Sequence, residues 1–128
     1  MKGEVVLMAT VLAFCLAPIA EAVFGRAVYY NPPYTPSACY GGRNYGTHVA
    51  GVKGELWGRG SACGRRYRVR CLGPTFSFPN ACTGRSVVVT VVDFCREPCN
   101  GNLNLSLDAF AAIANPKAGN IRIDYSPA

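Results

Sequence analysis

The run Arg85-Ser86-Val87-Val88-Val89-Thr90-Val91-Val92 decides the fold class of this chain. Five of its eight residues are valine, whose branched Cβ favours extended backbone. The valines occupy both alternating faces of the strand, so neither face is polar. Such a strand is covered on both sides. We therefore predict a strand over Arg85–Val92 with both faces buried.

Three further strands are predicted on either side of this run. They cover Gly25–Tyr30, Arg65–Leu72 and Asn120–Tyr125. In the last of them, alternation directs Ile121, Ile123 and Tyr125 to one face and Arg122 and Asp124 to the other.

Helical signals are few. Ser106 can cap a helix over Leu107–Ala114, and a weaker amphipathic turn of helix is predicted over Val49–Trp57. The chain also contains 14 Gly and nine Pro, which interrupt helices. Strands separated by long loops, with one late helix, indicate an all-β closed barrel rather than a parallel α/β sheet.

The N-terminus predicts export. Lys2 precedes the almost wholly apolar stretch Val5–Ala20, and Ala20-Glu21-Ala22 has the small-x-small pattern of a cleavage site. The 128-residue chain is therefore expected to comprise a signal peptide over residues 1–22 and one secreted domain over residues 23–128. No apolar run reaches the roughly 18 residues of a membrane span.

The expected domain is basic and rich in cysteine. Residues 23–128 carry 12 basic and five acidic side chains, a net charge of +7. Six cysteines remain after Cys15 leaves with the signal peptide: Cys39, Cys63, Cys71, Cys82, Cys95 and Cys99. An even number in a small secreted domain indicates three disulfides, but spacing alone leaves fifteen pairings open.

Several motifs in a fixed order carry a family resemblance. They are Pro33-Tyr34-Thr35-Pro36-Ser37-Ala38-Cys39-Tyr40-Gly41, Ala62-Cys63-Gly64-Arg65-Arg66-Tyr67-Arg68-Val69-Arg70-Cys71, Ala81-Cys82-Thr83-Gly84-Arg85, Val92-Asp93-Phe94-Cys95-Arg96-Glu97-Pro98-Cys99-Asn100-Gly101, and Leu103-Asn104-Leu105-Ser106. Together they resemble the plant natriuretic peptides, secreted single-domain relatives of expansins and of family-45 endoglucanases. The resemblance extends over essentially all of residues 24–128.

The resemblance implies a six-stranded double-psi β-barrel with one or two short helices and three disulfides. It pairs Cys39 with Cys63 and Cys71 with Cys82, which leaves Cys95 with Cys99. It also implies localisation in the extracellular space, the apoplast. No counterpart of the second, cellulose-binding domain of expansins is expected after Tyr125.

The resemblance also bears on catalysis. Glycoside cleavage in most families needs two carboxyl groups. In the endoglucanase relatives the proton donor is an aspartate at the position of Asn104, whose amide cannot donate a proton at neutral pH. Val28 replaces an expansin threonine, and Asp93 remains as a lone carboxylate, which we interpret as structural. We therefore predict no catalytic residues and no enzyme activity, and the residues suggest no metal and no cofactor.

Two surfaces are candidates for recognition. Arg66, Arg68 and Arg70 share one face of a strand, either as a solvated outer surface or as a site for an acidic wall polysaccharide. Tyr30, Tyr34, Tyr40 and Trp57 lie in an aromatic-rich segment, where they either pack over the barrel ends or contact a receptor. In the natriuretic peptides the signalling segment corresponds to about 30–63 here.

The function implied by the resemblance is non-enzymatic signalling. The protein is expected to act on water and solute balance through a plasma-membrane receptor, without expansin activity. The alternative is a module that binds cell-wall polysaccharide in the barrel groove and through the three arginines, and a glycoside-cleaving enzyme is disfavoured. We expect a monomer, and secretion argues against a nucleic-acid partner.

Overall fold

The computed structural model describes residues 21–128, which form a closed six-stranded barrel. The strands are β1 (Val23–Tyr30), β2 (Val49–Val52), β3 (Arg66–Pro74), β4 (Ser86–Phe94), β5 (Leu103–Ser106) and β6 (Ile121–Pro127). Their order around the barrel is β1-β5-β2-β4-β3-β6. The pairs β1–β5 and β2–β4 are parallel, and the other four are antiparallel. The prediction of an all-β, six-stranded barrel is confirmed.

Strand β4 supplies the centre of the core. Val87, Val89 and Val91 point into the barrel and are buried. The prediction of two fully buried faces holds only in part, because Val88 and Thr90 are half-buried. These two residues lie opposite the arginines of β3, whose long side chains give only partial cover.

Helix α1 (Leu107–Ile113) packs on the barrel and begins where the sequence predicts. The Ser106 hydroxyl accepts a hydrogen bond from the Ala109 amide at 3.2 Å and donates one to the Thr47 carbonyl at 2.6 Å. This buried cap joins the helix to the loop before β2. Phe110 of α1 is fully buried, and the ring of Tyr29 contacts it with a centroid separation of 4.8 Å.

The helical prediction for Val49–Trp57 is wrong over its first half. Val49–Val52 is strand β2, and all four of its residues are buried. The strand is inserted between β4 and β5, so its backbone hydrogen bonds go to neighbours that are distant in sequence. Only a 3-10 turn over Gly54–Leu56 follows, and further 3-10 turns cover Gly58–Gly60 and Pro116–Ala118.

Asp124 lies on the face of β6 that was predicted for it, but it is buried there. It shares the outer face of β6 with Arg122, yet its side chain is only 6% exposed. The reason lies on β3, where Arg70 is in register with Asp124 and forms an ion pair with it.

Three disulfides link residues of the loops with one another and with β3. They link Cys39 with Cys63, Cys71 with Cys82, and Cys95 with Cys99. This is the pairing that the resemblance implies. Most of the expected signal peptide, together with Cys15, lies outside the described residues. Within residues 21–128 no helix has the length and apolar character needed to cross a membrane.

Candidate functional site

A row of four residues crosses four adjacent strands at one level of the barrel. Val28 on β1 is in register with Asn104 on β5, which is in register with Gly51 on β2, which is in register with Asp93 on β4. Three of the four are the positions that the sequence analysis examined for catalytic groups. The structure therefore brings Val28, Asn104 and Asp93 together, although they are far apart in the chain.

Val28, Asn104 and Asp93 of this row line a groove of about 720 Å³, and Gly51 is buried behind it. One wall is the Pro-rich loop around Ser37 and Ala38, and the other is the loop closed by the Cys95–Cys99 disulfide. Lys53 supports the second wall, because its Nζ donates a hydrogen bond to the Cys99 carbonyl at 3.1 Å. The Nζ also lies 3.9 Å from a Glu97 carboxylate oxygen. The groove is thus built from rigid strands below and two tethered loops above.

Asp93 serves the groove wall. Its Oδ1 accepts hydrogen bonds from the Ala38 amide at 3.1 Å and from the Phe94 amide at 2.9 Å. These bonds tie the Pro-rich loop to the end of β4. Because Oδ1 accepts both of these hydrogen bonds, it is less available to accept a proton from a ligand in the groove.

Asn104 presents an amide to the groove. Its Oδ1 is buried and has no hydrogen-bond partner among the described residues. Two strand spacings, about 10 Å, separate the backbones of Asn104 and Asp93, with Gly51 between them. Within residues 21–128 no carboxyl pair spans this groove row, because the partner of Asp93 is an amide.

Asn104 also begins the sequon Asn104-Leu105-Ser106, and the structure places all of it in β5. Leu105 and Ser106 are buried, so the folded strand does not offer this sequon to a transferase.

Tyr30 and Tyr34 form a pair beside the groove. Their rings meet edge to face, with centroids 5.3 Å apart. Burial raises the pKa of Tyr30 well above its usual value, and the negative charge of Asp93 adds to the effect. The Tyr34 hydroxyl donates a hydrogen bond to the Asp108 carboxylate at 2.7 Å and accepts one from the Asp108 amide at 3.3 Å. Tyr34 therefore fastens the Pro-rich loop to the first turn of α1.

The remaining two aromatic candidates, Tyr40 and Trp57, lie in different surroundings. The Tyr40 ring stacks on Tyr45 with centroids 4.0 Å apart, and the Arg43 guanidinium lies 5.7 Å from the Tyr45 centroid. Tyr45 lines a small depression together with Tyr34, so this depression connects the Tyr40–Tyr45 pair with the Tyr30–Tyr34 pair. Trp57 instead packs against the core and against Phe94, with ring centroids 5.5 Å apart. Arg43 could not be identified from the sequence, since the residue types alone do not reveal this stacking.

The three candidate arginines of β3 all point outward, as predicted. They are not equivalent, because Arg70 donates hydrogen bonds from Nε and Nη2 to the two carboxylate oxygens of Asp124. This pairing raises the pKa of Arg70 and occupies its guanidinium. Arg66 and Arg68 form no ion pair within residues 21–128.

The fold and groove define a class of protein, and comparison with known proteins gives the family. Residues 49–125 match the double-psi β-barrel family described as lytic transglycolase. The chain is 64% identical to EG45-like domain containing protein 2 of Arabidopsis thaliana, over 99% of this chain and 97% of that protein. It is 42% identical to an EG45-like domain containing protein of Citrus jambhiri, over 98% of both.

A solved structure shows the same fold. The apo expansin of Clavibacter michiganensis superposes with a TM-score of 0.64 at 25% identity, over 84% of this chain and 50% of the expansin. The chain is thus a double-psi β-barrel of the expansin type. It belongs to the EG45-like domain proteins, the plant natriuretic peptide-like family.

Proposed function

We propose that this protein is a secreted signalling protein without enzyme activity. It acts on water and solute balance by binding a plasma-membrane receptor. The receptor contact is the loop that follows Cys39, centred on Arg43 and Tyr45. Family membership supports a signalling role. The composition of the groove supports the lack of enzyme activity, and the exposed stack of Arg43, Tyr45 and Tyr40 supports the receptor contact.

The groove supports the lack of catalysis. Proton transfer to a glycosidic oxygen needs an acid within hydrogen-bond reach, and the amide of Asn104 is not one. The one carboxylate in the groove row, Asp93, holds two backbone amides. The groove is therefore equipped to hold a molecule rather than to cleave one.

The observation that carries the receptor proposal is the stack of Arg43, Tyr45 and Tyr40 at the surface. Residues 41–48 are all exposed, yet within them Tyr45 is packed against both the Arg43 guanidinium and the half-buried Tyr40 ring. The Cys39–Cys63 disulfide fixes the start of this loop, and the Cys39 amide donates to the Val92 carbonyl at 2.9 Å. A preorganised aromatic surface binds at low entropic cost, and Tyr and Arg are typical of interface hot spots.

Binding to plasma-membrane vesicles tests this proposal. Labelled folded protein should bind saturably, and the double variant Arg43→Gln/Tyr45→Ala should bind at least about tenfold more weakly. The matched control is Phe76→Ala/Lys117→Gln, which removes one exposed aromatic ring and one cation elsewhere. Equal binding by the loop variant and the wild type would place the receptor contact elsewhere.

A second candidate is wall-polysaccharide binding in the groove. The unpartnered Oδ1 of Asn104 favours it, because rotation of this half-buried side chain would bring the oxygen within reach of a sugar hydroxyl in the groove. A mutant form of the Clavibacter michiganensis expansin has been crystallised in complex with cellohexaose. Calorimetric titration with cellohexaose tests the candidate: binding that is lost in Asn104→Leu supports it, and no binding by the wild type excludes it for this ligand.

A further inference from the structure

A second surface of the barrel concentrates positive charge away from the groove. The outer side of the adjacent strands β1, β6 and β3 carries five arginines, here called the arginine face: Arg26, Arg66, Arg68, Arg70 and Arg122. All five are exposed. The groove is lined by residues of β1, β4 and β5 and by two loops, so β1 is the one strand that contributes to both surfaces.

Two of these arginines oppose each other directly. Arg26 on β1 is in register with Arg122 on the antiparallel strand β6. Residues opposite each other in an antiparallel pair project to the same side, and like charges in that position destabilise the sheet. The Arg122 Nε donates to the Pro74 carbonyl at 3.3 Å, which leaves its terminal Nη groups for another acceptor. The Arg122 guanidinium leans over Gly73 of β3, away from β1, and an anion bound across the two positions would offset their like charges.

The protein itself provides little neutralisation here. Asp124 is the acidic residue of this face, and Arg70 occupies both of its oxygens. Across residues 21–128 the ion pairs within 4.0 Å are Arg70–Asp124 and Lys53–Glu97. Glu55 borders the same depression as Arg26 but forms no ion pair with it.

The remaining cations are spaced for a linear ligand. Arg66 and Arg68 are two residues apart on β3, about 6.6 Å along it. On β6, Arg122 lies four residues from Ser126, the residue opposite Arg68, which is about 13 Å further along the sheet. Phe24 lies opposite Asp124 and is 75% exposed, so an aromatic ring stands among the arginines. Such a ring can contact the apolar face of a sugar while guanidinium groups pair with carboxylates.

We propose that the arginine face binds a linear polyuronate, that is, a polysaccharide with one carboxylate on each sugar. Arg26 and Arg122 bind one carboxylate region, Arg66 and Arg68 bind another, and Phe24 contacts the sugar rings between them. A lipid surface is a poorer match, because inserting into a membrane takes several neighbouring apolar side chains and Phe24 is surrounded by charge. This proposal is independent of the receptor proposal, which concerns another surface.

Titration with a defined oligogalacturonate tests the proposal. We expect binding that weakens with added salt and is absent for the fully methyl-esterified oligomer. Arg26→Gln/Arg122→Gln and Arg66→Gln/Arg68→Gln should each bind about tenfold more weakly. The matched control is Arg59→Gln/Lys117→Gln, which removes the same charge from two exposed 3-10 turns and should change affinity less than about twofold.

Three results would overturn the proposal. They are an equal loss of affinity in the control variant, equal binding of the esterified oligomer, and tighter binding to phosphatidylserine vesicles with the same arginine dependence. A second readout tests the repulsion argument without any ligand. Arg26→Gln/Arg122→Gln should keep or raise the Tm of the free protein, and a clear fall would contradict the account of this pair.

Discussion

Asn104 and Asp93 stand on either side of a single glycine, Gly51, on neighbouring strands of the barrel. Gly51 is buried, and a Cβ there would contact the backbone of Asp93 and Cys95, so the glycine lets β2 and β4 approach closely at this point. Asn104 contributes a side-chain amide, and Asp93 contributes a carboxylate that accepts hydrogen bonds from two backbone amides. The groove therefore has polar groups but no pair of carboxyl groups. This arrangement is the basis of the proposal that the groove binds a ligand without cleaving it.

Restoring a carboxyl group at this point should not restore catalysis. We expect Asn104→Asp to release no product from soluble glucans, because Asp93 remains engaged with backbone amides and Val28 supplies no hydroxyl. Burial should raise the pKa of the new carboxyl above its unfolded value of about 3.9. The variant should therefore approach wild-type stability below about pH 4 and lose stability as the pH rises above it.

Thermal unfolding across this pH range checks the stability part of the expectation. The matched control is Asn102→Asp, since Asn102 is exposed and its Oδ1 accepts a hydrogen bond from the Arg26 amide at 2.8 Å. It should show no such loss on going from acid to neutral pH. Product release by Asn104→Asp but not by the wild-type protein would show that one acidic group at this position is enough for catalysis, against this expectation.

The Arg70–Asp124 pair should respond unequally to removal of either partner. Asp124 is 6% exposed, whereas Arg70 is 62% exposed. Arg70→Ala leaves a buried carboxylate without its cation, while Asp124→Asn leaves a guanidinium that water can solvate. Urea unfolding should therefore show a larger fall in midpoint for Arg70→Ala. Equal falls would indicate that Asp124 is solvated through another route.

Tyr30 and Tyr34 should also differ, although their rings touch. The Tyr30 hydroxyl is buried without a partner among the described residues, so Tyr30→Phe should keep or raise the stability. Tyr34→Phe loses both hydrogen bonds to Asp108 and should cost about 1 kcal/mol. Chemical denaturation at neutral pH measures both effects, and a destabilised Tyr30→Phe would imply an unseen partner for that hydroxyl.

Tyr30 should contribute to alkaline unfolding as well. Its pKa is raised in the folded state, mainly by burial, so the unfolded chain releases the phenol proton at lower pH. Stability should fall as the pH rises above about 10, the unfolded value. Tyr30→Phe should reduce this slope without removing it, because burial raises the pKa of Tyr125 in the same direction. An unchanged slope would contradict the assignment.

The three disulfides should contribute to stability in the order of the lengths of the loops they close, the longest loop contributing most. Their sequence separations are 24 for Cys39–Cys63, 11 for Cys71–Cys82 and 4 for Cys95–Cys99. The chain-entropy treatment gives about 3.5, 2.8 and 2 kcal/mol respectively. Replacing each pair by alanine and measuring the free energy of unfolding tests the order. A largest loss for Cys95–Cys99, whose two cysteines are both buried, would show that packing outweighs chain entropy.

The long valine strand, the capped helix and the outward arginines could be predicted because each depends on local pattern. Strand β2 could not, since Val49–Val52 is four residues long and follows an exposed loop. Its extended form depends on β4 and β5, which meet it from distant parts of the chain. The strand Leu103–Ser106 was not predicted for the same reason: it is four residues long and pairs with β1 and β2, which are distant in the sequence.

The groove was predictable as a set of residues but not as a geometry. The resemblance pointed to Val28, Asp93 and Asn104, and the strand order placed them in one row. The ion pair that occupies the Arg70 guanidinium depends on register between β3 and β6, which alternation alone does not give. The opposition of Arg26 and Arg122 depends on register in the same way.

The volume of isolated leaf protoplasts tests the central claim most directly. Folded, oxidised protein should cause swelling, and Phe76→Ala/Lys117→Gln should cause the same swelling at the same concentration. Arg43→Gln/Tyr45→Ala should need at least about tenfold more protein for the same response while keeping its Tm. A full response from that loop variant, or no swelling with the wild-type protein, would contradict the account of this barrel as a signalling protein that acts through the Arg43–Tyr45 loop.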